Sequence, residues 1–178
     1  GKKASETAIL RKLKLSGPEA PRFQKILADR MLMEDRAQEA VVQYQFVLSF
    51  KPDYPEALAG LGSALQHLRR YDEAGICFEK ALKIKPSADI LGRIGSLLAT
   101  AGHPDKALIY FRRALEIDPD STILLTNHAA ASFRAGLFAD AFRGFHRLMM
   151  KTPDDLYPKM MLASVARNVH VEKFSPAM

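Results

Sequence analysis

The stretch LGSALQHLRRYDEAGICFEKALKIKP, residues 61–86, decides the fold of this chain. Within it Ala74, Phe78 and Ala81 follow one another at i, i+4 and i+7, which is the spacing of a single stripe along an α-helix. Pro86 ends that helix, because proline lacks the amide hydrogen that an interior helical position donates. The stretch therefore predicts a helix with one apolar face that closes at a proline.

The same signals return along the chain with spacings of 34, 33 and 34 residues between four closing prolines. An alanine lies twelve residues before each proline. An aromatic residue lies four residues after each of these alanines, and a small residue lies twelve residues before each of them. A small side chain on an earlier helix lets two helices approach closely. The prolines, alanines, aromatic residues and small residues are, in that order, Pro52, Pro86, Pro119, Pro153; Ala40, Ala74, Ala107, Ala141; Tyr44, Phe78, Phe111, Phe145; and Ala28, Gly62, Gly95, Ala129.

This pattern resembles the tetratricopeptide repeat, a helix–turn–helix unit of about 34 residues. The resemblance covers about residues 21–170 and implies an all-α, right-handed superhelical solenoid of antiparallel helix pairs. One pair cannot bury its apolar face alone, so neighbouring pairs should stack on a shared core. In the clearest unit the matching residues are Leu61, Gly62, Tyr71, Ala74, Phe78, Ala81 and Pro86.

The repeat phase divides the chain into seven segments. We expect a basic N-terminal helix at 1–20, which is either a cap or the end of an earlier repeat. Four repeats follow at 21–54, 55–87, 88–121 and 122–155, then a half repeat or C-terminal capping helix at 156–170 and a tail at 171–178. The last helix is apolar on more than one side, and the chain begins at Gly1. We therefore expect that the array continues, or that self-association through the last helix covers it.

Composition narrows the class of protein. A hydrophobic fraction of 48% in 178 residues excludes a disordered polar chain. Of the net charge of +6, a surplus of five lies in residues 1–30, which hold eight Lys/Arg and three Asp/Glu. The basic character therefore belongs to the N-terminal segment. Cys77 is the single cysteine, so no internal disulfide forms, and a reducing, cytoplasmic location is expected. No run approaches 18 apolar residues, so no membrane insertion is predicted.

No pattern typical of catalysis is found in the sequence. The five histidines include no i, i+4 pair, and there is no nucleophile elbow and no Gly-rich phosphate loop. We predict no enzyme activity, no metal and no cofactor, with Cys77 as an inert packed thiol. His128 and Ser132 stand where other repeats carry apolar residues. We interpret them as a satisfied, partly buried polar pair, or alternatively as a contact to a ligand or neighbouring subunit.

The resemblance implies a non-catalytic scaffold or adaptor that binds a protein, in the form of a peptide or partner helix, in the concave groove. Outward residues of the first helices should line that groove. The candidates are Arg22, Lys25 and Asp29 in the first repeat, Ser63, Gln66 and His67 in the second, Arg93 and Ser96 in the third, Asn127 and Arg134 in the fourth, and Arg167 in the half repeat.

The sequence allows three further interpretations. One variant of the family grips a C-terminal carboxylate with lysine and asparagine, but Asp29 and Gly60 stand where asparagine is expected, which disfavours it. An accessory or substrate-docking segment of a larger enzyme, such as a glycosyltransferase, stays open. Nucleic-acid binding is disfavoured, because no aromatic residues interleave the basic residues of the N-terminal segment.

Overall fold

The computed structural model describes residues 20–174, with side chains described for residues 21–169. The N-terminal helix expected at 1–20 lies outside the described residues except for Ala20, where the first helix begins. Within this range the secondary structure is helical throughout. The helices are α1 (Ala20–Met33), α2 (Ala37–Phe50), α3 (Pro55–His67), α4 (Tyr71–Ile84), α5 (Ala88–Thr100), α6 (Pro104–Ile117), α7 (Thr122–Arg134), α8 (Phe138–Lys151) and α9 (Leu156–Phe174).

The helices form two compact units, Gly1–Pro86 and Ser87–Met178. In the first unit α1 packs on α2, α2 on α3 and α3 on α4, and α1 also contacts α3. In the second unit each helix from α5 to α8 packs on the one that follows it, and α5 also contacts α7. Within each unit short turns join the helices, so successive helices run antiparallel and the first helices of neighbouring repeats lie side by side. The predicted all-α solenoid of antiparallel helix pairs is confirmed.

The residues that define the repeat are the residues that fill the core. Ala74 and Phe78 have no exposed surface, and the alanines at the position of Ala74 in the other repeats are also fully buried. A Cβ placed on Gly62 would lie 2.7 Å from Cε1 of Phe78, and one on Gly95 would lie 2.7 Å from Cε1 of Phe111. Each glycine on a first helix therefore provides the surface on which the aromatic ring of the second helix packs.

The fourth pair reverses this arrangement. Its first helix carries Ala129, which is fully buried, at the position of the glycine. The second helix carries Gly144, where an added Cβ would lie only 2.7 Å from Cβ of Ala129. The small residue needed at this crossing has moved from α7 to α8.

The turn inside each helix pair has one geometry at four equivalent positions. Gly102 and Gly136 have φ angles of 87° and 75°, a left-handed conformation that glycine adopts without steric cost. Asp35 and Arg69 both adopt a φ of 61° at the same point of their own turns. Non-glycine residues rarely adopt this left-handed conformation, so the repeat geometry imposes it on them.

Serine side chains cap the N-termini of two helices. Ser87 caps the N-terminus of α5, because its hydroxyl accepts a hydrogen bond from the Ile90 amide. Ser121 caps α7 in the same way through the Leu124 amide. The last helix, α9, continues to Phe174, beyond residue 170 where the sequence pattern placed its end. Over the described range, none of the helices has both the length and the apolar character needed to cross a bilayer.

Candidate functional site

Two of the three candidates on α1 are engaged in the packing of the first unit. Lys25 Nζ lies 2.6 Å from Asp29 Oδ2. The hydroxyl of Tyr44, which is buried on α2, donates a hydrogen bond of 2.5 Å to Asp29 Oδ1. Asp29 thus joins α1 to α2. Arg22, the third candidate, is exposed on the same helix.

Gly60 explains how the Tyr44 ring reaches Asp29. A Cβ at position 60 would lie 2.4 Å from Cε1 and Cζ of Tyr44, so the ring passes directly against the backbone of α3. The sequence contains one signal for this contact, which is the tyrosine at position 44 where the other three repeats have phenylalanine. A buried tyrosine hydroxyl needs a hydrogen-bond partner, and Asp29 was the nearby acceptor that sequence reasoning assigned to ligand binding instead.

The candidates of the second repeat lie on α3, which contacts α1. Ser63 and Gln66 are half-buried, and His67 is exposed in the last turn of the helix.

The candidates on α5 and α7 lie together along two adjoining pockets of the second unit. The larger pocket has a volume of about 440 Å³ and the smaller about 170 Å³. Ser96 and Asn127 line both pockets, and we call the two together the trough. The larger pocket is lined by Ala88, Asp89, Gly92, Arg93, Ser96, Asp118, Ser121, Ile123, Leu124 and Asn127. The smaller is lined by Ser96, Ala99, Thr100, Phe111, Asn127, Ala130, Ala131 and Arg134.

Polar contacts organise the middle of the trough. Asn127 Nδ2 donates a hydrogen bond of 3.4 Å to Ser96 Oγ, where the two pockets meet. Arg93 Nε donates to Asp89 Oδ2 at 2.9 Å within α5. Gly92 forms part of the floor, and a Cβ there would lie 2.6 Å from Cδ2 of Leu124. The trough therefore combines a floor of small and apolar residues with amide, hydroxyl and charged groups along its sides.

Arg167 is separate from these residues. It is exposed on α9, and its Nη2 donates a hydrogen bond of 3.2 Å to Ser164 Oγ on the same helix. It does not line either pocket of the trough.

The two polar residues that interrupt the apolar pattern of the fourth repeat have different surroundings. His128 lines an open pocket of about 540 Å³ with Arg112, Leu115, Glu116 and Asp140. Burial lowers the pKa of His128, and the charge of Arg112 lowers it further, while Asp140 opposes both effects. The Ser132 hydroxyl is buried and makes no hydrogen bond within the described range. The interpretation of a satisfied polar pair is therefore wrong for Ser132.

The remaining candidates for chemistry are the thiol of Cys77 and clusters of side chains that could bind a metal. Cys77 is half-buried, and burial raises the pKa of its thiol, which reduces the thiolate needed for nucleophilic attack. In the part of the chain that the structure describes, no three His, Cys, Asp or Glu side chains cluster as metal ligands would.

Comparisons with known proteins agree with this architecture. Residues 53–120 match the family model for the tetratricopeptide repeat. TTC0263, a thermophilic TPR protein in Thermus thermophilus, is 19% identical with a TM-score of 0.76, and the match covers 89% of this chain and 88% of that chain. A tetratricopeptide repeat protein from Parabacteroides merdae is 21% identical with a TM-score of 0.73, covering 92% of this chain and 64% of that chain.

A third similar structure is that of YrrB, described as a TPR protein with an unusual peptide-binding site. It is 20% identical with a TM-score of 0.69, and the match covers 92% of this chain and 83% of that chain. No match was found among curated proteins. The fold, the family match and these structures define the chain as an all-α repeat solenoid. Residues 53–120 match the tetratricopeptide repeat family, and the described chain shares the fold of these TPR structures.

Proposed function

We propose that this protein is a non-catalytic scaffold that binds a segment of a partner protein along the outward face of its first helices. The trough of the second unit is the principal site. One observation carries the proposal: the two pockets share Ser96 and Asn127, so they can accept one continuous segment. A concave surface with a small, apolar floor and a few polar groups is typical of binding sites.

The candidates of the first unit are considered separately from the trough. We assign Lys25 and Asp29 mainly to packing, because they bind each other and Tyr44. Arg22, Ser63, Gln66 and His67 stay candidates for contacts with the partner, as does Arg167 on α9. YrrB is described as having a peptide-binding site, which supports peptide recognition as a use of this fold but assigns no residue in this chain.

The test compares capture of partners by the wild-type chain and by variants of the trough. Proteins cross-linked to the chain in a lysate of its source are quantified for wild type, Arg93→Glu, Asn127→Ala and the control Arg113→Glu. Arg113 is exposed on α6 and does not line the trough. We expect the two trough variants to lose the partner while their circular dichroism is unchanged. Equal capture by all four proteins would contradict the proposed site.

A second candidate role is self-association through α9. Ala163 is exposed on this helix, whereas Ala28 and Ala129 at the equivalent positions are fully buried. Leu156 and Met160 are each 67% exposed. Over the described range α9 has no paired second helix of its own to cover this face. A second copy of the chain would bury it.

Sedimentation velocity tests this role. We expect a concentration-dependent dimer that Met160→Lys weakens and that Met33→Lys, on exposed Met33 of α1, leaves intact. A monomer at all concentrations would contradict it.

A docking segment of a larger enzyme would use the same trough, and the reading frame on either side of these residues distinguishes that alternative. We keep the cytoplasm as the proposed location.

A further inference from the structure

The two ends of the trough differ in charge. At one end Asp89 and Asp118 line the larger pocket together with Arg93, and Arg93 is paired with Asp89. This leaves one carboxylate, that of Asp118, in excess. At the other end Arg134 is, among the residues that the structure describes, the only charged one that lines the smaller pocket. Among the described residues, no side-chain ion pair links Asp118 or Arg134 to a neighbour, so both charges face the solvent of the trough.

Helix stability explains one of these charges but not the other. Arg134 is in the last turn of α7, where a cation interacts favourably with the helix dipole. Asp118 follows the carboxyl end of α6, where a negative charge interacts unfavourably with that dipole. The equivalent residues of the other repeats are Lys51, Lys85 and Thr152, so the repeat pattern does not require an acidic residue there.

The distance between the two ends sets the length of a matching segment. Ile123, at the Asp118 end, and Arg134 both lie on α7, and eleven residues of helix span about 16 Å. An extended chain covers about 3.3 Å per residue, so about five residues bridge this distance. A helical segment would need about eleven residues.

The size of the smaller pocket favours the extended form. Its volume of about 170 Å³ is below the ~300–1,000 Å³ typical of small-ligand pockets. A helix with its side chains is about 10–12 Å across. The pocket has room for one side chain or a narrow extended segment, which favours an extended chain lying along the trough.

We infer, on the basis of the proposed function, that the partner segment is extended and bipolar: a basic residue contacts Asp118, an acidic residue contacts Arg134, and about five residues separate them. Ser96 and Asn127 contact the uncharged stretch between the two. Complementary charges at both ends fix the direction in which the segment lies and disfavour segments of the wrong polarity.

A random 16-residue phage-displayed peptide library probes this inference. The full chain and four variants, each checked by circular dichroism, are used for selection: Arg134→Glu, Asp118→Lys, Asn127→Ala and the control Arg113→Glu. From the wild type we expect peptides with one basic and one acidic residue about five apart. Arg134→Glu should exchange the acidic residue for a basic one, and Asp118→Lys should exchange the basic residue for an acidic one. Peptides selected on wild type should bind each charge variant at least tenfold more weakly and the control equally well.

The outcomes separate the two proposals. Peptides that depend on Asn127 but keep the same charges on all variants would overturn the bipolar segment alone. Charges about eleven residues apart would indicate a helix and would overturn the extended form. Peptides that bind Asn127→Ala and both charge variants as well as wild type, or no enriched peptide at all, would overturn the trough as a binding site and the inference with it.

Discussion

The hydroxyl of Tyr44 donates a hydrogen bond to Asp29 Oδ1 across the first helix pair, at a distance of 2.5 Å. Tyr44 takes the place that phenylalanine fills in the next three repeats, and Gly60 leaves space for its ring. Lys25 binds the other oxygen of the same carboxylate. A core tyrosine, a half-buried carboxylate and a lysine therefore act together to fasten α1, the first helix of the described range, to α2.

Removing this hydrogen bond should destabilise the first unit. We expect Tyr44→Phe to lower the free energy of unfolding by about 1–3 kcal/mol, because a bond to a charged acceptor is lost. Urea denaturation followed by circular dichroism measures the change. Tyr110→Phe, which removes a hydroxyl from α6, serves as the control and should have little effect. In a double-mutant cycle with Asp29→Ala, strictly additive losses would show that the two residues are not coupled.

Overpacking at the centre of a helix pair should be costly. Ala74 is fully buried on α4, so Ala74→Leu forces added methyl groups into a filled crossing. We expect a loss of about 1–3 kcal/mol in the free energy of unfolding. The same substitution at exposed Ala139 on α8 is the matched control and should be nearly neutral. Denaturation curves that are identical for both variants would remove Ala74 from the core.

The left-handed turns offer a stabilising substitution. Arg69 adopts a φ of 61°, a conformation that costs a non-glycine residue about 1–2 kcal/mol. After the entropy that glycine loses on folding, Arg69→Gly should stabilise the protein by about 0.5–1 kcal/mol. Thermal denaturation measures the gain.

The reverse substitution is a control with no steric complication. Gly102→Ala should destabilise by about 1 kcal/mol, because no atom lies within 4 Å of the added Cβ and only the conformational cost is left. Gains from both variants, or losses from both, would contradict the role assigned to the turn.

His128 should make stability depend on pH. Burial lowers its pKa in the folded state below the ordinary value of 6.5. Above pH 6.5 the imidazole is neutral in both states, so it adds no pH dependence. As the pH falls below 6.5, the unfolded state binds the proton first, so the free energy of unfolding decreases until the pH reaches the folded pKa. Below that pH the penalty is constant.

Replacing His128 by leucine, the residue at the equivalent Leu27 and Leu61, should remove this slope. Urea midpoints at pH 7.0 and 5.5 would be compared for wild type, His128→Leu and His67→Leu, whose histidine is exposed. Arg112, Glu116 and Asp140 also line the pocket and are retained in all three proteins. A slope that disappears in neither variant would assign the pH dependence to other groups.

Sequence spacing was sufficient to predict the packing of the core. Helical periodicity predicts the burial of Ala74 and Phe78, since residues at i and i+4 share a face. The repeat spacing predicts a small residue at Gly62 on the preceding helix. Gly102 adopts the positive φ of its turn without strain. Arg69 was missed because its conformation comes from the repeat geometry and not from its own preference.

The surface was predicted less well for a physical reason. Lys25 and Asp29 were assigned to a partner because both project from a first helix. Their pairing with each other has the i, i+4 spacing that favours an ion pair on one helix. The hydrogen bond from Tyr44 to Asp29 instead depends on side-chain reach between two helices, which the repeat phase does not specify. Ser96 and Asn127 lie as neighbours on adjacent first helices, as the repeat phase implies, but the joined pockets around them depend on the close approach at Gly92.

The exchange between Ala129 and Gly144 has a consequence for how this chain can evolve. The crossing of α7 and α8 has no space for a second methyl group beside that of Ala129. A methyl group on both helices would collide, so a change from glycine at 144 becomes tolerable only after Ala129 has become glycine. In related sequences we expect the two positions to vary together, with the small residue passing from one helix to the other while the crossing itself is inherited unchanged.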